Sequence, residues 1–170
     1  KLSRTGHTSW TLTEIDFTDG PYLSENTTST TLTPSGTSGS VTITASASTF
    51  AATDVGRLVS FSNGRAKITG FTSATVVAAT TQKNFDNTNA VTAWKLGAFS
   101  GTTGHPSCVS FFEQRLVFAG TIAEPQTLYF SKAGDYENMT TGTNADDAMV
   151  YTIASNQVNR IRYLKSVRTL

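Results

Sequence analysis

Residues Gly104 to Asn138 read GHPSCVSFFEQRLVFAGTIAEPQTLYFSKAGDYEN, the densest apolar and aromatic run in an otherwise Thr/Ser-rich chain. Cys108 to Phe112 reads as one strand and Leu116 to Ala119 as the next. Glu113-Gln114-Arg115 is too polar to lie buried between them, so it is expected to be the turn of a hairpin. Gly120 to Pro125 makes a second connection, and Thr127 to Ser131 is a third strand rich in β-formers. Ala133 to Asn138 reads as a turn, with Asp135 placed to cap a single helical turn. Up, down and up again is a β-meander, with the general look of one propeller blade.

Outward from that stretch the chain stays β-rich. It has 170 residues, a net charge of +1 and only 15% charged residues, and it is sparing with strong helix formers. That balance gives no electrostatic footprint for nucleic acid or an anionic membrane. The local exception is the tail, where Arg160, Arg162, Lys165 and Arg168 cluster and could touch phosphates. The single cysteine, Cys108, excludes an intramolecular disulfide and is expected to be a small core hydrophobe. No apolar run approaches the roughly 20 residues that span a bilayer. The chain starts at Lys1 and stops at Thr169-Leu170 in what reads as the beginning of a strand, so a piece of a longer protein is expected.

Trp10 to Phe17 alternates imperfectly and reads as an edge strand, ended by Thr18-Asp19-Gly20-Pro21. Thr28 to Leu32 precedes the Pro34-Ser35-Gly36 turn. Val41 to Ala47 alternates with Val41, Ile43, Ala45 and Ala47 inward. Ala51 to Asp54 is expected as one helical turn broken by Gly56. Leu58 to Ser62, Arg65 to Phe71, Ser73 to Thr80 and Val91 to Phe99 read as further strands. Asn63-Gly64 is the strongest hairpin signal, since both residues tolerate positive φ. Ala148 to Ile153 is another strand. Ser155 to Lys165 is ambiguous: Val158, Ile161 and Leu164 allow a short helix, while an extended reading is less apolar. The fold class is therefore all-β: a small β-barrel or sandwich module at 26–95, a partial propeller-like meander at 96–170, and an incoming body strand at 1–25.

The chemistry-bearing residues do not assemble into a known constellation, so no catalytic, cofactor-binding or metal-binding residue is assigned. His7 and His105 lack partners at ligand spacing. Asp16/Asp19 and Asp146/Asp147 are spaced like loop ligands but lack the further oxygens that calcium needs, and read as turn caps. As a glycosidase pair, Glu14/Asp16 and Asp146/Asp147 are both unconvincing. Glu113 and Arg115 read as a surface ion pair. Asn26-Thr27-Thr28 and Asn138-Met139-Thr140 match the glycosylation sequon. Tyr129, Tyr136, Tyr151 and Tyr163 could line a carbohydrate groove, which makes a carbohydrate-binding or adhesin-like β-module the alternative to a structural protein.

The motif set resembles a family of tailed-phage and prophage structural proteins, the tail nozzle or tail tubular protein B group of short-tailed phages. In that family a G-x-P-x-x-V-x-F-F-x-x-R-L-x-F-A-G block leads to P-Q-x-x-x-x-S and G-D-x-x-N-F. Here the matching runs are HPSCVSFFEQRLVFAGT, PQTLYFS and GDYEN. DFTDGPY, TLTPS and FAATDVGR before the block, and DDAMVYTI and QVNRIRYL after it, also fit. Met139 departs from the pattern, which has an aromatic there. The barrel resembles, in fold only, a small β-module of ubiquitin-activating enzymes, and no ubiquitin chemistry transfers. The phage resemblance implies a non-enzymatic virion protein, made in the bacterial cytoplasm. It would form a ring of identical copies around the DNA exit channel. Its partners would be its own copies, neighbouring tail or portal-adaptor proteins and, non-specifically, passing DNA. The barrel would be an insertion, with Trp10–Phe17 and Val91–Phe99 entering and leaving it and pairing with each other. The Glu113–Arg115 turn would be a place for a subunit contact.

Overall fold

The computed structural model describes residues 1–157 and 159–166. In chain order the strands are β1 Leu2–Arg4, β2 Trp10–Leu12, β3 Leu32–Pro34, β4 Ser40–Ala45, β5 Leu58–Phe61, β6 Gly64–Ser73 and β7 Val76–Lys83. They continue as β8 Trp94–Leu96, β9 Cys108–Phe112, β10 Arg115–Ala119, β11 Thr127–Phe130 and β12 Met149–Thr152. The helical content among the described residues is one 3-10 turn, Ala52–Asp54. The protein is all-β, with a barrel-like sheet and a meander.

Strands β3 to β8 form a six-stranded antiparallel sheet in the order β3-β4-β7-β6-β5-β8. A strand with one buried face alternates, and β4 does so: Val41, Ile43 and Ala45 point inward while their neighbours are exposed. Ala47 is exposed rather than inward, because the strand ends at Ala45. Three register shifts along the β6–β7 pair bend the long strand β6, which curls the sheet. Leu32 and Val91 then exchange backbone hydrogen bonds of 2.9 and 3.0 Å, tying β3 to the segment that leads into β8. Ile43, Val59, Ile68 and Val77 fill the centre, with Phe61 stacked on Phe85 at 4.3 Å between ring centroids. Burying each of these side chains contributes about 1.5–3 kcal/mol, so this core is the larger apolar store of the chain.

The hairpin between β5 and β6 turns one residue earlier than the Asn63-Gly64 signal predicts. Ser62 and Asn63 hold the positive φ angles, 47° and 55°. Gly64 already pairs with Phe61 and is required for space: a Cβ there would sit 2.6 Å from the Asn84 carbonyl oxygen and from the Phe85 ring. The strand expected from Ser73 begins at Val76, and the strand expected at Val91–Phe99 is confined to Trp94–Leu96.

Strands β9 to β12 form the second sheet, antiparallel and sequential. Glu113 and Gln114, both at positive φ, make a two-residue turn of the type that matches strand twist. The meander's inner face carries Leu116, Phe118 and Tyr129. It is closed by Ile15, Phe17, Leu23 and Met139, so the incoming segment forms part of its core. Phe17, Phe99, Phe118 and Tyr129 meet edge to face at 5.2–5.9 Å, a geometry aromatic rings favour. Side chains change from the barrel core to this one between Leu96 and Ala98.

Several expectations are corrected. Trp10–Phe17 is not one strand: only Trp10–Leu12 is, and it pairs with Leu2–Arg4 instead of Val91–Phe99. Thr13 still bonds to Lys1, and the chain leaves the ribbon beyond it because Ile15 and Phe17 pack against the meander. Thr28–Leu32 gives way to Leu32–Pro34, since Thr28 and Thr30 are held by the Asn26 side chain. Ala133–Asn138 is a plain double turn without a helix. Ser155–Lys165 shows no helix among its described residues; Val158 lies outside them, as do Val167, Arg168, Thr169 and Leu170.

Candidate functional site

Two of the motif runs bring polar residues to the junction of barrel and meander. The chain passes into the barrel beside the point where it leaves. Leu23 donates to the Leu96 carbonyl and Asn26 to the Trp94 carbonyl, each at 2.9 Å. Beside this two-strand neck lies Asp19, from the run DFTDGPY. Its carboxylate accepts from the Tyr22 hydroxyl at 2.7 Å, from Arg65 of β6 at 2.8 Å and from the Thr140 hydroxyl at 3.0 Å. Its carbonyl accepts from Met139 at 2.8 Å. One residue therefore fastens neck, barrel and meander together. Gly20 follows at φ 57° with the Met139 backbone against it, which leaves no room for a side chain. Burial, reinforced by the Asp19 carboxylate, raises the Tyr22 hydroxyl above its usual pKa.

The run FAATDVGR makes a second fastening. Asp54 and Arg57 form an ion pair of 2.9 Å whose side chains are 1% and 3% exposed. The carboxylate also accepts from the Ala51 amide at 2.9 Å and the Thr102 hydroxyl at 2.7 Å. Arg57 donates through Nε to the Gly97 carbonyl at 2.7 Å. Gly56, at φ 91°, makes the bend that turns Arg57 inward. Burial lowers the Arg57 pKa, an effect that Asp54 opposes. The 3-10 turn of the barrel is thus bolted to the 97–102 segment that leads to the meander.

Arg115 overturns the expectation of an exposed turn and of a surface pair with Glu113. It is buried, and its guanidinium donates to the carbonyls of Ser131, Asp147 and Ala145 at 2.7, 2.6 and 2.5 Å. The fork of Arg suits this gathering of loop carbonyls. The turn proper is Glu113-Gln114 alone, and Glu113 is exposed.

The remaining candidates are not brought together. A cleft of about 330 Å³ runs along the junction past Glu14, Asp16, Lys67 and His105. In it Asp16 is paired with Lys67 at 2.8 Å, an arrangement that neutralises the carboxylate. Asp147 is paired with Lys132 at 3.0 Å and caps the Asn144 amide, while Asp146 is exposed. The hydrogen bond from Lys132 and that from the Asn144 backbone hold Asp147 below the usual carboxylate range. Among the described residues no three His, Cys, Asp or Glu side chains stand together as a metal site. Cys108 is half-buried instead of fully in the core, with its thiol 3.4 Å from the carbonyls of Ala119 and Ile161.

The tyrosines do not share a groove. Tyr129 is fully buried with its hydroxyl bonded to Glu124, whereas Tyr136, Tyr151 and Tyr163 are exposed. Strand register puts Tyr151 on the meander face opposite to that of Tyr129. The Asn26 side-chain nitrogen, the atom a glycan would occupy, donates to the carbonyls of Thr28, Thr30 and Thr92 at 3.0–3.1 Å. Asn138 uses its side-chain oxygen to cap the Thr140 amide at 3.0 Å. In the basic tail Arg160 donates to the Gly120 carbonyl at 2.8 Å, and Arg162 and Lys165 are exposed; Arg168 lies outside the described residues.

Sequence reasoning missed the fastening role of Asp54, Arg57 and Arg115. The available signals were a DxGR run shortly after Phe50-Ala51-Ala52 and an arginine followed by four apolar residues. Among the described residues, no helix is long and apolar enough to cross a membrane. Compared with protein-family models and with curated protein sequences, the chain matches none.

Proposed function

We propose that the chain is a non-enzymatic structural component of a phage or prophage tail, part of a ring-forming nozzle or tail tubular protein around the DNA exit channel. The resemblance of its motifs is the source of the reading. One observation supports it most: four of the charged residues inside those motifs are held by partners within the fold. Asp19, Asp54, Arg57 and Arg115 hold elements together, and none of the four is exposed. Groups that hold a scaffold are satisfied internally. Copies of the chain and the neighbouring tail or portal-adaptor proteins are its partners. Exposed Arg162 and Lys165 suit non-specific contact with passing DNA phosphates. The virion is its location.

Electron microscopy of the whole gene product tests the reading. Rings are expected. A product that stays monomeric at virion-like concentration refutes it, as does a gene neighbourhood without portal or tail genes.

A further inference from the structure

The meander ends in two strands whose outer edges have almost no backbone partners among the described residues. β9 pairs only with β10, and β12 only with β11, apart from a bridge at Ala148 just before it. Proteins usually guard such edges with a charge, a proline or a bulge. Neither CVSFF (Cys108–Phe112) nor MVYT (Met149–Thr152) contains a charge or a proline. Both edges instead expose large apolar side chains: Val109, Phe111 and Phe112 on one, Met149, Val150, Tyr151 and the following Ile153 on the other.

Strand direction decides what fits them. A meander of four strands has edges that run in opposite directions. The β12 edge of one copy therefore meets the β9 edge of an identically oriented second copy antiparallel, as every pair in the sheet already is. An odd number of strands would offer a parallel pairing instead. The faces match as well. Directly paired residues share a face, and Val109 lies in line with Phe118, Tyr129 and Val150 across the sheet. A continuous core face thus places odd-numbered residues of β9 opposite even-numbered residues of β12. Val109 and Phe111 then cover Val150 and Thr152, while Phe112 lies on the face of Met149, Tyr151 and Ile153.

We propose that β9 and β12 pair edge to edge between copies of this chain, so that the meanders form one continuous sheet around the ring. The inference rests on the ring reading above and names its contact. At about 150–250 Å² per fully buried aromatic side chain, the exposed edge residues offer on the order of 500 Å² of apolar surface. Apolar atoms make up ~60% of an interface, so the whole contact comes to on the order of 900 Å². That is just under the ~1,000 Å² a specific interface needs. One such contact is marginal. A closed ring gives each copy two of them, one donor edge and one acceptor edge, because the contact is heterologous.

Cysteine pairs test the contact in the whole gene product carrying Cys108→Ser. Four double variants combine Val109→Cys or Phe111→Cys with Val150→Cys or Thr152→Cys, so that neighbouring registers are covered. After mild oxidation at least one double variant is expected to give a ladder of covalent multimers on a denaturing gel, while single variants match the parent. Tyr151→Lys is expected to abolish rings with the melting temperature unchanged. Rings without a ladder from any double variant overturn the edge contact and leave the ring reading standing, as do rings that survive Tyr151→Lys. A single variant that dimerises as readily as the doubles shows edges pairing with themselves and also overturns it. A parent that forms no rings overturns both.

Discussion

Replacing Arg57 by methionine tests how the barrel is bolted to the rest of the chain. The substitution keeps the apolar stem and removes the guanidinium. It leaves the Asp54 carboxylate, 1% exposed, with the Ala51 amide and the Thr102 hydroxyl but no cation. It also leaves the Gly97 carbonyl without its Nε donor. Breaking one side of a buried ion pair costs about 3–5 kcal/mol, because a charge stays in a site that water cannot reach. For a chain of this length each kcal/mol moves the melting temperature by about 2–4 °C, so a drop of about 6–20 °C is expected. Asp54→Asn alone strands the guanidinium and costs a similar amount. The double variant Asp54→Asn/Arg57→Met strands neither charge and loses far less than the sum, giving a coupling of at least about 2 kcal/mol. Urea unfolding followed by Trp94 fluorescence in a Trp10→Phe background reads the result from inside the barrel, where the Trp94 indole donates to the Thr30 carbonyl. A single-variant loss under about 1 kcal/mol, or additive losses, refutes the claim that this pair works as a buried unit.

Three further outcomes are expected. Gly64→Ala lowers stability by about 1–3 kcal/mol because its Cβ strikes the Asn84 backbone, while Ser62→Gly, at a positive φ, is neutral or slightly stabilising by urea denaturation. Asp19→Ala removes the acceptor of three side-chain donors and costs about 2–4 kcal/mol, with amide exchange rising at the neck and around Met139 together; exchange confined to residues 16–22 would refute its role as a three-way fastening. Stability against pH should be flat in the middle and fall at both ends. Asp147 has a lowered pKa in the fold, so its contribution is complete above the ordinary carboxylate pKa of about 4 and is lost as pH falls through the folded value. Tyr22 and Tyr129, raised chiefly by burial, contribute fully below the ordinary value of about 10 and lose that contribution as pH rises towards their folded values. Melting curves across pH check this, and tyrosinate absorbance of these two residues before unfolding would contradict it.

Where side-chain pattern alone governs an element, the sequence was legible. β9 spans the residues its apolar run predicted, and β4 alternates as read up to Ala45, because one buried face imposes a period of two. Legibility failed where an element is set by something distant in sequence. Gly64 looks like a turn glycine, but its reason is the Asn84 backbone and the Phe85 ring some twenty residues on. Trp10–Phe17 looked like a strand, yet Ile15 and Phe17 answer to a core completed by β10 and β11. Arg115 reads as surface because the Glu113-Gln114-Arg115 run is polar and Glu113 offers a local ion-pair partner; its actual partners are carbonyls of loops that follow β11. The polar residues of the junction were visible as motif letters, but their convergence was not.

The geometry of that junction bears on how a ring would carry load. A module joined by two adjacent strands can swing about them, and backbone bonds at Leu23 and Asn26 resist only part of that motion. Arg65 and Lys67 project from one face of β6, two residues apart, and meet Asp19 and Asp16 on the incoming segment. The two contacts are unequal. Lys67–Asp16 is open to solvent and contributes at most about 1 kcal/mol. Arg65–Asp19 is four-fifths covered and shares its carboxylate with Tyr22 and Thr140. Arg57, through the Gly97 carbonyl, and Asp54, through the Thr102 hydroxyl, hold the 3-10 turn against the 97–102 segment, which continues directly from the neck at Leu96. A pivot fixed at its axis and at two further points does not turn. The barrel is therefore held in a set direction relative to β9 and β12, so copies joined through those edges would all present their barrels in the same orientation.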